Sequence, residues 1–126
     1  MKKFTQTHEW VDAVDDIATI GITQYAIQEI GEVVYVELPK IGQEINSEDV
    51  VCVLESTKAA IDITCPVSGK VLEVNQPLQN NLKLLNLSPE DKGWLFKISI
   101  KNTKELDALL DKSDYKIMIE NSISLL

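Results

Sequence analysis

Hydrophobic and polar positions in several stretches of this chain alternate with a period of two, which predicts strands. Elsewhere they follow helical spacing. Between residues 4 and 22, Trp10-Val11 and Ile17-Ala18-Thr19-Ile20 flank the acidic, turn-prone link from Asp12 to Asp16, so a first hairpin is expected there. Thr23 then reads as a helix N-cap. Tyr25, Ala26, Ile27 and Ile30 follow at helical spacing, and Gly31 stops the helix. Further on, Asp49-Val50-Val51-Cys52-Val53-Leu54 and Ile61-Asp62-Ile63-Thr64-Cys65-Pro66 are two β-type runs on either side of a short stretch centred on a lysine. They predict a second hairpin with Lys58 at its tip. Gly93 to Ile100 restores strict alternation, with Trp94, Phe96, Ile98 and Ile100 on one face of a last core strand.

The pattern also repeats. Gly31, Val33, Val36, Pro39 and Gly42 recur 38 residues later as Gly69, Val71, Val74, Pro77 and Asn80. Gly and Asn are the residues that tolerate a left-handed backbone, so the last exchange keeps its chemistry. Two similar β units wrapped face to face would each bury the other's apolar side. Leu82 to Leu87 is leucine-rich and less regular, and Ser88-Pro89 then reads as a cap with proline at the first position of a single helical turn. Asn102 and Glu105 resemble a capping box before the stripe Leu106, Leu109 and Leu110, and Ser113 can cap a second helix carrying Tyr115 and Met118. The apolar tail Ile123-Ser124-Leu125-Leu126 is expected to dock or fray. The fold class this predicts is mostly β, with two antiparallel sheets, short helices and a helical C-terminal segment.

At 126 residues the chain has the length of one domain, expected to span 1–126 with its core in 4–101 and C-terminal helices in 103–121. The net charge of -8 argues against nucleic acid or an anionic membrane as a partner, because phosphates would be repelled. Basic patches on partner proteins suit it better, and a monomer is the expected state. With His8 as the lone histidine and no CxxC, a zinc site lacks ligands; no nucleophile–base pair or phosphate loop appears either. No catalytic residue is assigned. Cys52 and Cys65 lie nearly equidistant from Lys58 on the two strands, where they could be cross-strand neighbours; the expectation is reduced, partly buried thiols. Met1-Lys2-Lys3-Phe4-Thr5-Gln6 has no hydrophobic signal core, so the chain reads as cytoplasmic, or as a matrix protein if it is a processed mitochondrial form.

Lys58 is the candidate for chemistry. A primary amine on a protruding turn can be handed to a modifying enzyme without unfolding anything, yet most hairpin lysines are simply solvated turn residues. The residues alone leave both readings open.

In their order along the chain, several blocks resemble the glycine cleavage system H proteins, a family of small lipoyl-carrying shuttles. They are Thr7-His8-Glu9-Trp10-Val11, Ala18-Thr19-Ile20-Gly21-Ile22-Thr23, Gly31-Glu32-Val33-Val34-Tyr35-Val36-Glu37-Leu38-Pro39, Glu55-Ser56-Thr57-Lys58-Ala59-Ala60, Pro66-Val67-Ser68-Gly69 and Gly93-Trp94-Leu95-Phe96-Lys97-Ile98. The resemblance implies a barrel-sandwich hybrid fold and a carrier without catalysis of its own. It implies that Lys58 is amidated by lipoic acid within the motif Glu55, Ser56, Thr57, Ala59 and Ala60, by a lipoate ligase or a lipoyl or octanoyl transferase. The implied partners are the pyridoxal-phosphate glycine decarboxylase (P protein), the folate-dependent aminomethyltransferase (T protein) and dihydrolipoyl dehydrogenase (L protein). The aminomethyl-loaded arm would shelter in a cleft whose matching positions are Thr7, Glu9 and Asp62, where a carboxylate can pair with a cationic amine. Read without the family, Glu9 is equally a surface acid on an edge strand, and Asp62 a strand residue that deters edge pairing.

The chain departs from the family's pattern at Thr57, usually valine, at Leu82, usually proline, and at Glu90-Asp91, usually Tyr-Gly. These bear on partner contacts and leave the lysine motif intact. They keep an alternative alive, a lipoyl store or relay, or an interaction protein, without a complete glycine cleavage system. A lipoyl domain of an oxo-acid dehydrogenase complex would usually have Asp before the lysine and flexible Ala/Pro linkers, and a biotin carrier would have Met on both sides; this chain shows neither.

Overall fold

The structure, a computed structural model, describes residues 2–124. The strands are β1 (Lys2–Phe4), β2 (Glu9–Val14), β3 (Ile17–Ile22), β4 (Val33–Glu37), β5 (Glu44–Ile45), β6 (Val50–Ser56), β7 (Ala60–Thr64), β8 (Gly69–Val74) and β9 (Phe96–Ile100). The α-helices are α1 (Gln24–Ile30), α2 (Lys83–Leu87) and α3 (Lys112–Ser124). One sheet has the order β1-β2-β3-β9-β8-β5 and the other β4-β6-β7, with every pair antiparallel. The expected mostly-β architecture is therefore the one the chain adopts.

Alternation explains the layering. Val11, Ile20 and Ile22 from the larger sheet's β2 and β3 share a core with Phe96 and Ile98 of β9, and with Val36, Leu54 and Ile63 of the smaller sheet. Burying each such side chain contributes about 1.5–3 kcal/mol. The first hairpin closes Val14 on Ile17 with Asp15 left-handed at φ 57°. Trp10 and Val11 are neighbours in sequence, and both are buried because both faces of β2 are covered. Val11 faces the main core, while Trp10 belongs to a second cluster with Phe4 and Tyr115. The indole lies 2.7 Å from where a Cβ on Gly21 would stand, so only glycine fits opposite it.

The two copies of the repeat do fall on opposite sheets, β4 in the smaller and β8 in the larger. They end differently. Gly42 is left-handed at φ 90°, whereas Asn80 is not among the left-handed residues and closes a 3-10 turn over Gln76–Asn80.

Four local expectations are corrected. Trp94 precedes β9 rather than sharing its buried face, and packs half-buried against the Phe4–Trp10–Tyr115 cluster. Pro89 to Gly93 is a turn closed by Gly93 N–H on the Ser88 carbonyl at 2.7 Å, not a helical turn. Asn102 caps through Lys104 N–H, but Glu105 does not complete a capping box; it turns to accept from the Ser68 backbone and hydroxyl at 2.9 and 3.1 Å. The run that follows is a 3-10 helix, Thr103–Ala108. Asp111, not Ser113, caps α3, accepting from Asp114 N–H at 2.8 Å. A carboxylate is the stronger acceptor, and Ser113 donates its own hydroxyl to it. The packing of the Ile123–Leu126 tail lies outside the described residues.

The C-terminal segment is tied to the body by backbone bonds in both directions between Phe4 and Leu110. Tyr115 stacks on Phe4 with ring centroids 4.7 Å apart.

Candidate functional site

Lys58 stands at the exposed apex of the β6–β7 hairpin. Glu55 pairs with Ala60, and Ser56 N–H donates to the Ala59 carbonyl at 2.7 Å, leaving Thr57 and Lys58 as the two residues of the turn. The Ser56 hydroxyl accepts from Lys58 N–H at 3.1 Å and Ala59 N–H at 3.0 Å and donates to the Ala59 carbonyl. A serine at this place supplies the partners that a tight turn cannot find in its own ladder. Thr57 N–H also donates to the Glu32 carbonyl at 3.0 Å, which ties the apex to the segment after α1. The apex is thus exposed yet held. Thr57, Ala59 and Ala60 are exposed and small, so an approaching enzyme meets little bulk around the amine.

The ground beside the lysine is built by Gly31. It ends α1 at φ 80°, as Thr23 begins it by accepting from Ala26 N–H. Asn86 of α2 clamps this junction, donating to the Gly31 carbonyl at 2.9 Å and accepting from Val33 N–H at 3.1 Å. A Cβ placed on Gly31 would lie 3.6 Å from Lys58 Cε and 3.7 Å from Cδ, so the lysine's methylenes run over the glycine.

Thr7 and Glu9 are brought together directly, but Glu9 is not the surface acid of the simpler reading. It is 1% exposed, and β2 is flanked by β1 and β3, so it is not an edge strand. Its Oε1 accepts from the Thr5 and Thr7 hydroxyls at 2.6 Å each and from Thr64 at 3.4 Å. Burial raises the Glu9 pKa above its ordinary value, and those hydroxyls, with the Thr64 backbone, pull it back down. Beside it, Phe4 to Thr7, Ser47, Thr64 to Pro66 and Leu110 line a cavity of about 380 Å³. Asp62 is exposed on β7, an edge strand of its sheet, two residues from Thr64 and so on the same face. Lys58 is not brought to Glu9; between Ala60 and Thr64, β7 runs on the order of 13 Å.

Sequence reasoning missed Thr5, Thr64, Gly31 and Asn86 as parts of this arrangement. The spacing Thr5, Thr7, Glu9 would have flagged the first. Nothing local points to Asn86 or Thr64, whose partners are 55 residues away.

Cys52 and Cys65 are free and fully buried. The register sets Ile63, not Cys65, opposite Cys52, so they are not cross-strand partners. Burial pushes both thiols up to about 12. Among the described residues no three His, Cys, Asp or Glu side chains gather where they could hold a metal ion.

Known proteins share this fold and much of this sequence. A family model described as "Glycine cleavage H-protein" matches residues 2–122. The chain belongs to this family. It is 49% identical over 116 residues to the glycine cleavage system H protein of Thermotoga maritima, covering 92% of this chain and 94% of that one. It is 44% identical over 118 residues to the H protein of Methylacidiphilum infernorum, covering 94% and 92%. A crystal structure of a glycine cleavage system H protein from Mycobacterium marinum superposes with a TM-score of 0.84 at 29% identity, over 90% of this chain and 92% of that one. As a glycine cleavage H-protein family member, the chain has the role of a lipoyl carrier in the glycine cleavage system and is not an enzyme.

Proposed function

We propose that Lys58 carries lipoic acid as an amide, and that the protein takes an aminomethyl group from a pyridoxal-phosphate glycine decarboxylase to a folate-dependent aminomethyltransferase and passes electrons to dihydrolipoyl dehydrogenase. The observation that carries this reading is the exposed lysine at a hydrogen-bonded apex, flanked by exposed small residues in the motif Glu55, Ser56, Thr57, Ala59 and Ala60. When bound there, lipoic acid supplies a cyclic disulfide able to accept a one-carbon group and two electrons. The chain's own contribution is reach, since a group tethered to a held apex meets successive partners at high effective concentration.

The same reading gives Thr7, Glu9 and Asp62 the task of sheltering a cationic amine. Asp62 on β7 and Glu9, which meets Thr64 at the far end of that strand and is already ringed by hydroxyls, support it. It also takes the chain as one carrier domain, supported by the docking of α3 on β1 and β2 through Tyr115.

Intact mass of the protein from a lipoylating host tests the attachment. One lipoyl increment localised to Lys58 is expected, and an unmodified lysine in that host would refute it. Glycine–bicarbonate exchange with a purified decarboxylase tests the shuttle, and failure of the lipoylated protein to support exchange would leave a lipoyl store or relay.

A further inference from the structure

The loop that carries Thr7 and Glu9 is strained, and it is held from the far end of the chain. His8 stands between the two at φ 74°, in the left-handed region that a residue other than glycine enters only at a cost. Its ring Nδ1 lies 2.8 Å from the hydroxyl of Tyr115, 107 residues away on α3, and that hydroxyl lies 2.8 Å from Thr23 Oγ1. We infer that Tyr115 is a positioning residue for the Glu9 shelter, its hydroxyl holding His8 in the conformation that brings Thr7 and Glu9 together. The inference rests on the sheltering role proposed above and adds what keeps the shelter in shape.

The backbone shows what His8 controls. His8 N–H donates to the Thr5 carbonyl at 3.2 Å and Thr5 N–H to the Glu9 carbonyl at 2.9 Å, so residues 5–9 form one tight turn. On its outer side the His8 carbonyl accepts from Thr23 N–H at 3.0 Å. Relaxing φ at His8 would turn the peptides on either side of it. The Thr7 hydroxyl, which donates to Glu9 Oε1 at 2.6 Å, would swing away. Glu9 would then lose one of the donors that offset its burial.

The anchor is fixed well enough to bear this strain. Tyr115 is 6% exposed and Thr23 is fully buried. The Tyr115 ring stacks on Phe4, whose backbone is bonded in both directions to Leu110 just before α3. With a neutral imidazole, the bonds order in one direction: Ala26 N–H donates to Thr23 Oγ1, Thr23 to Tyr115, and Tyr115 to His8 Nδ1. Each link is then satisfied, and His8 keeps its proton on Nε2. Stacking on Phe4 would survive without the hydroxyl, so the task of the hydroxyl is separable from that of the ring.

Tyr115→Phe makes that separation in the full chain. By 15N- and 13C-resolved NMR at fixed pH, the His8 ring should depart from a single Nε2–H tautomer. The amides of Thr7 and Glu9 and the Glu9 carboxyl carbon should shift, while the amides of α3 keep their helical positions. In the lipoylated protein loaded with the aminomethyl group, release should become several-fold faster, as with Glu9→Gln. Adding Tyr115→Phe to Glu9→Gln should quicken release little further, because both act through one carboxyl. Ile117→Ser, at a 54% exposed site on the same helix, should alter neither the shifts nor the rate. Unmoved Thr7 and Glu9 signals in Tyr115→Phe, or the same rate increase with and without the Glu9 carboxyl, would overturn the positioning role alone. A release rate indifferent to Glu9→Gln would overturn the shelter, and the role of Tyr115 with it.

Discussion

At the apex of the β6–β7 hairpin, Lys58 and the small residues around it are exposed and held mainly by backbone bonds and one serine hydroxyl. At the start of β2, Glu9 is buried beneath three threonine hydroxyls drawn from two distant parts of the chain. The contrast shows how a carrier divides its labour. Displaying an amine in water costs almost nothing in folding free energy, so the group that must be modified sits where its loss would not disturb the core. Burying a carboxyl costs desolvation, which only hydrogen-bond donors supplied by the fold can offset.

The largest effect that sharpens this contrast is Lys58→Arg. It should abolish lipoylation entirely while leaving stability within about 0.5 kcal/mol, as for other exposed sites. Mass spectrometry and a urea titration check the two halves, and loss of cooperative unfolding would show that the apex is structural after all.

Next in size is the reactivity of the buried thiols. With both pushed up to about 12 and sealed in the core, Cys52 and Cys65 should resist iodoacetamide at pH 8 and label only on unfolding, while exposed lysines acylate freely. Rapid labelling of the native protein would contradict the burial.

Glu9→Ala should cost about 1–3 kcal/mol in a denaturant titration, because it strands hydroxyls that now donate to the carboxylate. A neutral result would mean that water replaces Glu9 without penalty. In function, the pair Glu9→Gln and Asp62→Asn should speed loss of the aminomethyl group from the loaded protein, and an unchanged release rate would remove both from the shelter.

The smallest effects are in pH, and neighbours act in opposite directions. The Glu9 pKa is raised on folding, so the folded state binds its proton more tightly and stability from this group falls as pH rises above the ordinary 4.5. His8 is lowered by burial, against an opposing pull from Glu29. Its ring packs 4.9 Å from Tyr25 and its Nδ1 meets the Tyr115 hydroxyl at 2.8 Å. The folded state disfavours the imidazolium, so stability from His8 is present above the ordinary 6.5 and is lost as pH falls below it. Glu9→Gln should flatten the first slope and His8→Asn the second in melts from pH 4 to 8. Slopes unchanged in either variant would assign them to other groups.

The hairpin at Lys58 was legible because its information is local: two β-branched runs, a short turn and a period of two. The same holds for the first hairpin and for α1 between Thr23 and Gly31. Glu9 was misjudged as a surface acid in the simpler reading because its burial depends on Thr64, 55 residues on. Glu105 failed as a cap because Ser68, 37 residues back in the chain, offers it two donors at once. Asp111 outcompeted Ser113 by a charge that local pattern does not rank. The repeat's end at Asn80 went another way because a 3-10 turn takes over where Gly42 turns left-handed.

By itself, the amino-acid order determined the alternation that makes strands, the turn that lifts Lys58 clear of the body, and the family to which the motifs belong. These follow from side-chain period and turn chemistry within a few neighbouring residues. Only the tertiary structure decided that Glu9 is buried and that Asn86 clamps Gly31. Each requires segments far apart in the chain to meet, and the balance of desolvation against hydrogen bonding exists only once they have met.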